Sequence, residues 1–550
     1  MIRVDRRSAL GLLGAGVALP VGAARAASAA KISFDHGVAS GDPTATSAIL
    51  WTRATPADPA HSAPVPLKWS IAERADGPAI RSGTVEARPA RDFTAKVDAK
   101  GLKAGTEYHY WFEAADGTRS PVGRVRTLAQ GKIADAVLAV VTCQLYPGGL
   151  FNAYDAVSKL DRVDAIVHLG DYIYEYGPDG YGGGTGKKLG RNHEPPHEIV
   201  TLADYRTRHA QYKRDPDLQA AHARAAFICV WDDHEVANDG WVGGAENHQP
   251  ETEGEWKKRK AAALQAYFEW MPIRDAAPGK PWDAINRSFQ FGDVATLLMV
   301  ETRLLARSQQ VDDDGRLPSA ETFAARLADL KRPEREMLGA PQQSWITDTL
   351  TASVKAGTPW QVIGNQVVMA RVNGPKLPAA QAGPLLGALP DYIRKQVEVS
   401  MASFAAGLPF NLDAWDGYPA ARERLYASFR KAESRPIVLS GDSHAFWVND
   451  LQDAEGRLVA AEFGTSSITS PSQGDMLPQL PLGQMLMQSS PEVAFCDQKA
   501  KGYIVLTLTH DRASADYVAV STIMAKPYDT KSIGTFDVTA TTREKIVRRG

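Results

Sequence analysis

The sequence predicts a mixed α/β core behind an all-β N-terminal module. From about Ile32 to Leu128, short β-rich runs follow one another between turns rich in Gly, Pro, Asp and Ala. Beyond residue 130, such runs alternate with stretches of helical apolar spacing. Four of these later runs end abruptly in side chains that carry chemistry, and open α/β folds place their chemistry at the carboxyl ends of strands. With 550 residues, 44% of them hydrophobic and 23% charged, the chain has ordinary globular composition and length for two or three domains.

Residues 1–26 read as an export segment. Arg6-Arg7-Ser8-Ala9-Leu10 resembles a twin-arginine signal, followed by an apolar stretch from Leu10 to Leu19 and an A-x-A-like site at Ala24-Arg25-Ala26, with cleavage near 26–29. That stretch falls short of the roughly 20 residues a spanning helix needs, so no stable membrane anchor is expected. The expected partner of the segment is the twin-arginine export machinery, and the expected location is periplasmic or secreted. In residues 31–129, "SAILWTR", "PLKWSIAE", "DFTAKVDA" and "EYHYWFEA" have the spacing of a β-sandwich. "GLKAGTEYHYWFEAADGTRS" resembles the late hairpin of fibronectin type III-like modules, and with no catalytic cluster nearby the module is expected to be structural. "LAQGKIADA" reads as the linker into a catalytic domain spanning 130–550.

Within that domain, Phe151, Tyr154, Val157 and Leu160 mark a helix after the first strand. "LADYRTRHAQYKRDPDLQAAHARA" reads as two helices broken at Asp215-Pro216, and "EWKKRKAAALQAYFEWMPI" as one ending near Pro272. "ATLLMVETR" is a further strand carrying Glu301 and Arg303 at its end, and the late runs "LVAAEFGT", "GYIVLTLTH" and "ADYVAVSTI" suggest a second sheet. Residues 177–190, "GPDGYGGGTGKKLG", look too rich in glycine for a helix or regular strand. They lack the phosphate-loop spacing because Lys187 is followed by Lys188, and a flexible flap beside the site is expected instead.

The chemistry concentrates at the ends of four apolar runs. Ala165 to Leu169 leads into Gly170-Asp171 with Tyr174 three residues on, and Phe227 to Trp231 leads into Asp232, Asp233, His234 and Glu235. Pro436 to Leu439 leads through Gly441 to Asp442 and His444, and Ala136 to Val141 leads to Cys143. One thiol, one phenol, several carboxylates and two imidazoles at what could be one sheet edge describe a metal centre better than a nucleophile–base–acid triad. Each residue also has a plain structural reading: Asp171 as a turn residue, Cys143 and Cys229 as buried inert thiols, His168 as a hydrogen-bonded core histidine, and Glu235 as the orienter of its neighbour His234. Arg303 suits phosphate binding and suits an ion pair equally. The acidic run Asp312 to Asp314 reads as a solvated loop.

Gly170-Asp171-x-x-Tyr174 resembles the motif of purple acid phosphatases within the calcineurin-like metallophosphoesterases. Thr142-Cys143-Gln144, "GDYIYEY", "WDDHEV", "GDSHAF" and "FGTSSITSP" are most similar to the PhoD-type alkaline phosphatases, as are "FDHGVASGDPTATSAILWTR" and "NLDAWDGY". The resemblance covers nearly the whole chain after the export segment. It implies a four-layer α/β/β/α metallophosphoesterase core preceded by the fibronectin type III-like sandwich. It also implies an alkaline phosphatase that hydrolyses small phosphate monoesters with metal-activated water. Asp171 would bridge two ions, with Cys143, Tyr174 and His444 on the Fe3+ side, and His234 would contact the phosphoryl group or leaving oxygen. Where the wider superfamily has Gly-Asn-His and Gly-His-x-His, this chain has Asp232-Asp233-His234 and Gly441-Asp442-Ser443-His444. Carboxylates in place of neutral ligands favour hard cations, so Ca2+ beside iron is implied, held by Asp232, Asp233 and Asp442.

The formal net charge of −2 points to no obligatory nucleic-acid partner. Three cysteines are too few for a disulfide framework. Two other readings stay open: a phosphodiesterase or phospholipase D-like hydrolase on the same scaffold, and a non-enzymatic cell-surface binding protein that uses the β module.

Overall fold

The computed structural model describes residues 31–550 apart from 277–281, 283, 312–318, 376–382, 384–385, 388–390, 541–546 and 550. The export segment up to residue 30 and the acidic run at 312–314 lie outside the described residues.

The strands Asp135–Val141, Ala165–His168 and Phe227–Cys229 lie side by side in parallel, with Leu138 opposite Ala165 and Ile166 opposite Phe227. Ala165–His168 and Phe227–Cys229 are buried throughout, because the sheet is covered on both faces, and this makes them continuous apolar runs rather than alternating ones. They form the centre of a ten-stranded sheet. A second, seven-stranded sheet contains Ala295–Met299, Trp360–Gly364, Ile437–Ser440 and Leu458–Gly464 as parallel neighbours.

Alternation along the second sheet reveals the layering. Leu297, Val362, Ile437 and Leu439 join one core with Leu138, Ile166 and Ile504 of the first sheet. Their chain neighbours Leu298, Ile363 and Val438 join a different core with Ile346, Leu350, Leu425 and Phe429 from the helices Ala340–Lys355 and Pro419–Lys431. Successive side chains of a strand point to opposite faces, so one face of this sheet meets the other sheet and one meets helices. The helix Asn152–Ser158 packs on the first sheet, at Lys501–Thr509 and Arg512–Val520, and completes the four-layer α/β/β/α arrangement.

The late strands do not form one second sheet as expected. Leu458–Gly464 does belong to the seven-stranded sheet, but Lys501–Thr509 and Arg512–Val520 complete the first, with Val140 opposite Ile504. An alternating pattern identifies a strand without naming its partner. The four site-bearing strand ends are divided in the same way: three leave the ten-stranded sheet and the fourth, Ile437–Ser440, leaves the other.

In the N-terminal module, Arg81–Ala87, Val65–Ala72, Glu107–Ala114 and Gly123–Arg126 form a four-stranded sheet. It packs through Leu67, Ile71, Tyr110 and Phe112 on Ala48, Leu50 and Ala99 of the opposing layer. That layer, Val38–Gly41, Ser47–Arg53 and Thr94–Lys100, is hydrogen-bonded edge to edge with the catalytic sheet through Gly41 and Phe227. Gly41 permits the join, since a Cβ there would lie 2.2 Å from the Pro272 carbonyl oxygen.

Part of the glycine-rich stretch, expected to hold no helix, is helical. Gly183–Leu189 is an α-helix, entered through Gly182 and left through Gly190, both left-handed at φ 77° and 66°. Its glycines serve close approach: a Cβ on Gly186 would sit 2.6 Å from Pro147 Cβ, and one on Gly183 would sit 2.1 Å from the Pro178 carbonyl oxygen. Tertiary packing here outweighs the poor helix propensity of glycine.

Candidate metal centre

Each site side chain sits where a strand has just ended. Cys143, Asp171, Asp442 and His444 all have φ between 55° and 61°, a conformation that costs a non-glycine residue about 1 kcal/mol or more. The strand hydrogen bonding continues into the turns, with the Cys143 N–H donating to Gly170 O and the Gln144 N–H to Asp171 O. Two glycines let these turns meet. A Cβ on Gly170 would lie 2.4 Å from Asp232 Cβ, and one on Gly441 would lie 2.6 Å from Thr142 Oγ1, just past a strand of the other sheet.

The convergence brings Cys143, Asp171 and His444 together with donor atoms within 4.8 Å of one another. Tyr174 joins them, its hydroxyl 2.9 Å from Asp171 Oδ2, 3.4 Å from His444 Nε2 and 2.7 Å from Ser470 Oγ. Asp171, Asp233 and His234 form a second such group, and Asp232, Asp233 and Asp442 a third. All seven residues read from the sequence as ligands are therefore brought together.

These donors fit cations. Asp171 Oδ1 and Asp232 Oδ2 are buried without a hydrogen-bond partner. Burial and the neighbouring carboxylates Asp413, Asp233 and Asp171 push Asp442 up to about 7, even against the opposing pull of Arg303. Burial, reinforced by Asp171, also raises the Cys143 thiol well above its ordinary range, the state a bound cation would reverse. Thiol, phenol and imidazole on one side of Asp171 and carboxylates on the other make a soft-to-hard gradient.

Two of the remaining candidates, His234 and Glu235, find partners other than each other. His234 donates from Nδ1 to Glu175 Oε2 at 2.7 Å, not to Glu235. Glu235 accepts instead from the backbone N–H groups of Asp171, Tyr172 and Asp232, tying two strand ends together. Its carboxylate can reach those amides but not the ring of the adjacent residue. Burial opposes protonation of His234, but Asp233 and Glu175 outweigh it and hold the imidazole well above its usual range. Arg303 reaches the cluster and donates to Asp232, Asp413 and Asp442, in line with the ion-pair half of its reading. His168 is a buried structural histidine on Gln144 and the Gly170 amide, and Cys229 is a core thiol.

Sequence reading missed Glu175, Asp239, Asp413 and Tyr181. Glu175 lies inside "GDYIYEY" and Asp413 inside "NLDAWDGY", both noted for their similarity without a role for these residues. Asp239 and Asp413 meet Asp233 in a fourth group of close carboxylates. Tyr181, from the glycine-rich stretch, stacks on His444 and places its hydroxyl 3.1 Å from Nδ1.

Comparison with known proteins agrees with this architecture. The family model described as PhoD-like phosphatase matches residues 138–517, and that of its N-terminal domain matches residues 21–129. The chain belongs to the PhoD-like phosphatase family. It is 33% identical to alkaline phosphatase D of Bacillus subtilis (strain 168), covering 98% of this chain and 88% of that one. The solved structure of PhoD superposes with a TM-score of 0.77 at 30% identity, covering 94% of this chain and 92% of that one. As a PhoD-like phosphatase the chain is a phosphatase enzyme, and the reading as a binding protein falls away.

Proposed function

We propose that this PhoD-like phosphatase is an exported alkaline phosphatase that hydrolyses small phosphate monoesters at an iron–calcium centre. The observation that carries the reading is the meeting of Cys143, Asp171 and His444 within 4.8 Å, beside the equally close carboxylates Asp232, Asp233 and Asp442. Cys143, Tyr174 and His444 would hold Fe3+, Asp171 would bridge, and the three carboxylates would hold Ca2+. Bound there, such ions supply Lewis acidity and lower the pKa of water.

The chain's own residues do the rest. Glu175 Oε1 accepts from the Asn238 amide and from Asn247 Nδ2, so its other oxygen is aimed at His234 Nδ1. That bond fixes the ring and leaves Nε2 as its second N–H. A protonated His234 can donate from Nε2 to the departing ester oxygen. Ser470 donates to Cys143 O, and Tyr174 shares a hydrogen bond with it, so the phenol is oriented before any ion arrives.

Elemental analysis of the purified protein, with a monoester and diester panel, tests the reading. Iron and calcium are expected together, with p-nitrophenyl phosphate turned over faster than its bis-ester and activity lost on calcium removal with a chelator. Faster turnover of the bis-ester would favour a phosphodiesterase. Full activity with calcium verifiably absent would overturn the mixed centre. For the export segment, the precursor with Arg6 and Arg7 changed to Lys should stay in the cytoplasmic fraction, and normal export would remove the twin-arginine assignment.

A further inference from the structure

Arg303 is wholly buried, yet it is surrounded by acid rather than paired with one partner. Nε donates to Asp232 Oδ1 at 2.5 Å, Nη1 donates to both oxygens of Asp413 at 2.8 and 2.7 Å, and Nη2 donates to Asp442 Oδ1 at 3.1 Å. Asp233 lies 3.8 Å from Nη2. The guanidinium therefore stands at the centre of four carboxylates, three of them the proposed calcium ligands. Arg307 shares Asp413 from the other side.

We propose that Arg303 is a built-in counter-cation, a positioning residue that gathers Asp232, Asp233 and Asp442 before calcium binds and stabilises the metal-free fold against their mutual repulsion. Its calcium arm rests on the function proposed above, and its metal-free arm does not. Three features support it. The fork geometry of an arginine lets one side chain reach carboxylates in three directions, which an ammonium cannot do. The backbone beneath it is rigid, since Glu301 accepts from the amides of Arg303, Leu304 and Leu305 and from Trp231 Nε1. And removing one partner of a buried ion pair leaves an uncompensated charge, so losing this guanidinium leaves the acidic set unbalanced and costs stability.

The test compares Arg303→Gln with the wild-type protein after exhaustive metal removal. The variant should melt on the order of 5 °C lower without metal, and added calcium should raise its Tm by more than it raises the wild type. The double variant Arg303→Gln/Asp232→Asn, which removes the orphaned charge with its partner, should recover most of the metal-free loss. A residue important only for packing would not be rescued by deleting a carboxylate. An unchanged metal-free Tm would overturn the proposal, and at least tenfold weaker inhibition by inorganic phosphate alongside it would make Arg303 a phosphate ligand. If Arg303→Gln does not fold, the double variant decides: failure of that protein to fold also overturns it. A wild-type protein that calcium does not stabilise would sink the calcium reading alone, because the metal-free comparison still judges Arg303.

Discussion

Tyr174 and Cys143 separate an iron-bearing centre from any other at the level of single atoms. A phenolate or thiolate on ferric iron absorbs in the visible, so the iron-loaded protein should be coloured. Tyr174→Phe keeps the ring and its packing but removes the oxygen, and should shift or weaken that band. Cys143→Ser replaces a soft ligand with a poor hard one and should lower iron content and activity together. Iron-replete protein with no visible band would exclude both residues as ligands. Glu175 makes a subtler claim, since it touches His234 and no reacting atom. Glu175→Gln should lower kcat by about 10- to 100-fold, the usual cost of losing a positioning partner, with KM and metal content little changed and the pH–rate profile displaced on the limb that His234 controls. A profile of unchanged shape would reduce Glu175 to scaffolding.

Individual elements are shaped by close approach at particular atoms. In the helix Gly183–Leu189, a Cβ at Gly183 would meet the Pro178 carbonyl oxygen at 2.1 Å. That oxygen is backbone and cannot swing aside. Although Ala has about 1 kcal/mol better helix propensity than Gly, Gly183→Ala should therefore destabilise the protein. Because Tyr181 just before this helix bonds to His444, the same change should also raise KM or lower metal retention. A stabilised variant with unchanged kinetics would show that the helix does not position Tyr181. By contrast, the break at Asp215-Pro216 follows ordinary local rules: Asp215 Oδ1 accepts from the amides of Asp217 and Leu218, and Pro216 opens the helix Pro216–Arg224.

Across the whole molecule, the N-terminal module and the catalytic core share both a sheet and a buried polar contact. Trp51 of the module donates to Glu269 O at 2.8 Å, and Lys213 of the core lies over the Trp51 ring at 4.6 Å. Lys213 is 1% exposed, and its ammonium meets His222 Nε2 at 3.1 Å. Burial lowers its pKa from 10.5 to about 7. Between these two values the unfolded chain binds the proton that the folded chain has released. Raising the pH through that window therefore favours the fold, by at most roughly 1.4 kcal/mol for each pH unit crossed, and stability should climb from about pH 7 toward alkaline pH. Urea unfolding at neutral and alkaline pH, in wild type and Lys213→Met, measures this. The climb should flatten in the variant, and an equal climb in both proteins would show that Lys213 is not its source.

Local pattern was enough to read the strand ends and the residues they deliver. An apolar run that stops at Gly170-Asp171, Asp232-Asp233-His234 or Gly441-Asp442 is written into consecutive residues, because burial on both faces demands it. The helix break at Asp215 and the β character of residues 32–128 were legible for the same local reasons. Which sheet each late strand joins was settled only by packing, since alternation fixes a face and leaves the partner open. Packing also paired His234 with Glu175, 59 positions away, rather than with its neighbour Glu235. It also requires glycine at 183 and 186 within a helix, because the backbone of Pro178 and the side chain of Pro147 leave no room for side chains there. And it placed Arg303, which the sequence left open to phosphate or an ion pair, at the centre of an acidic cage, because Asp232, Asp413 and Asp442 come from separate segments that meet only when both sheets are in place.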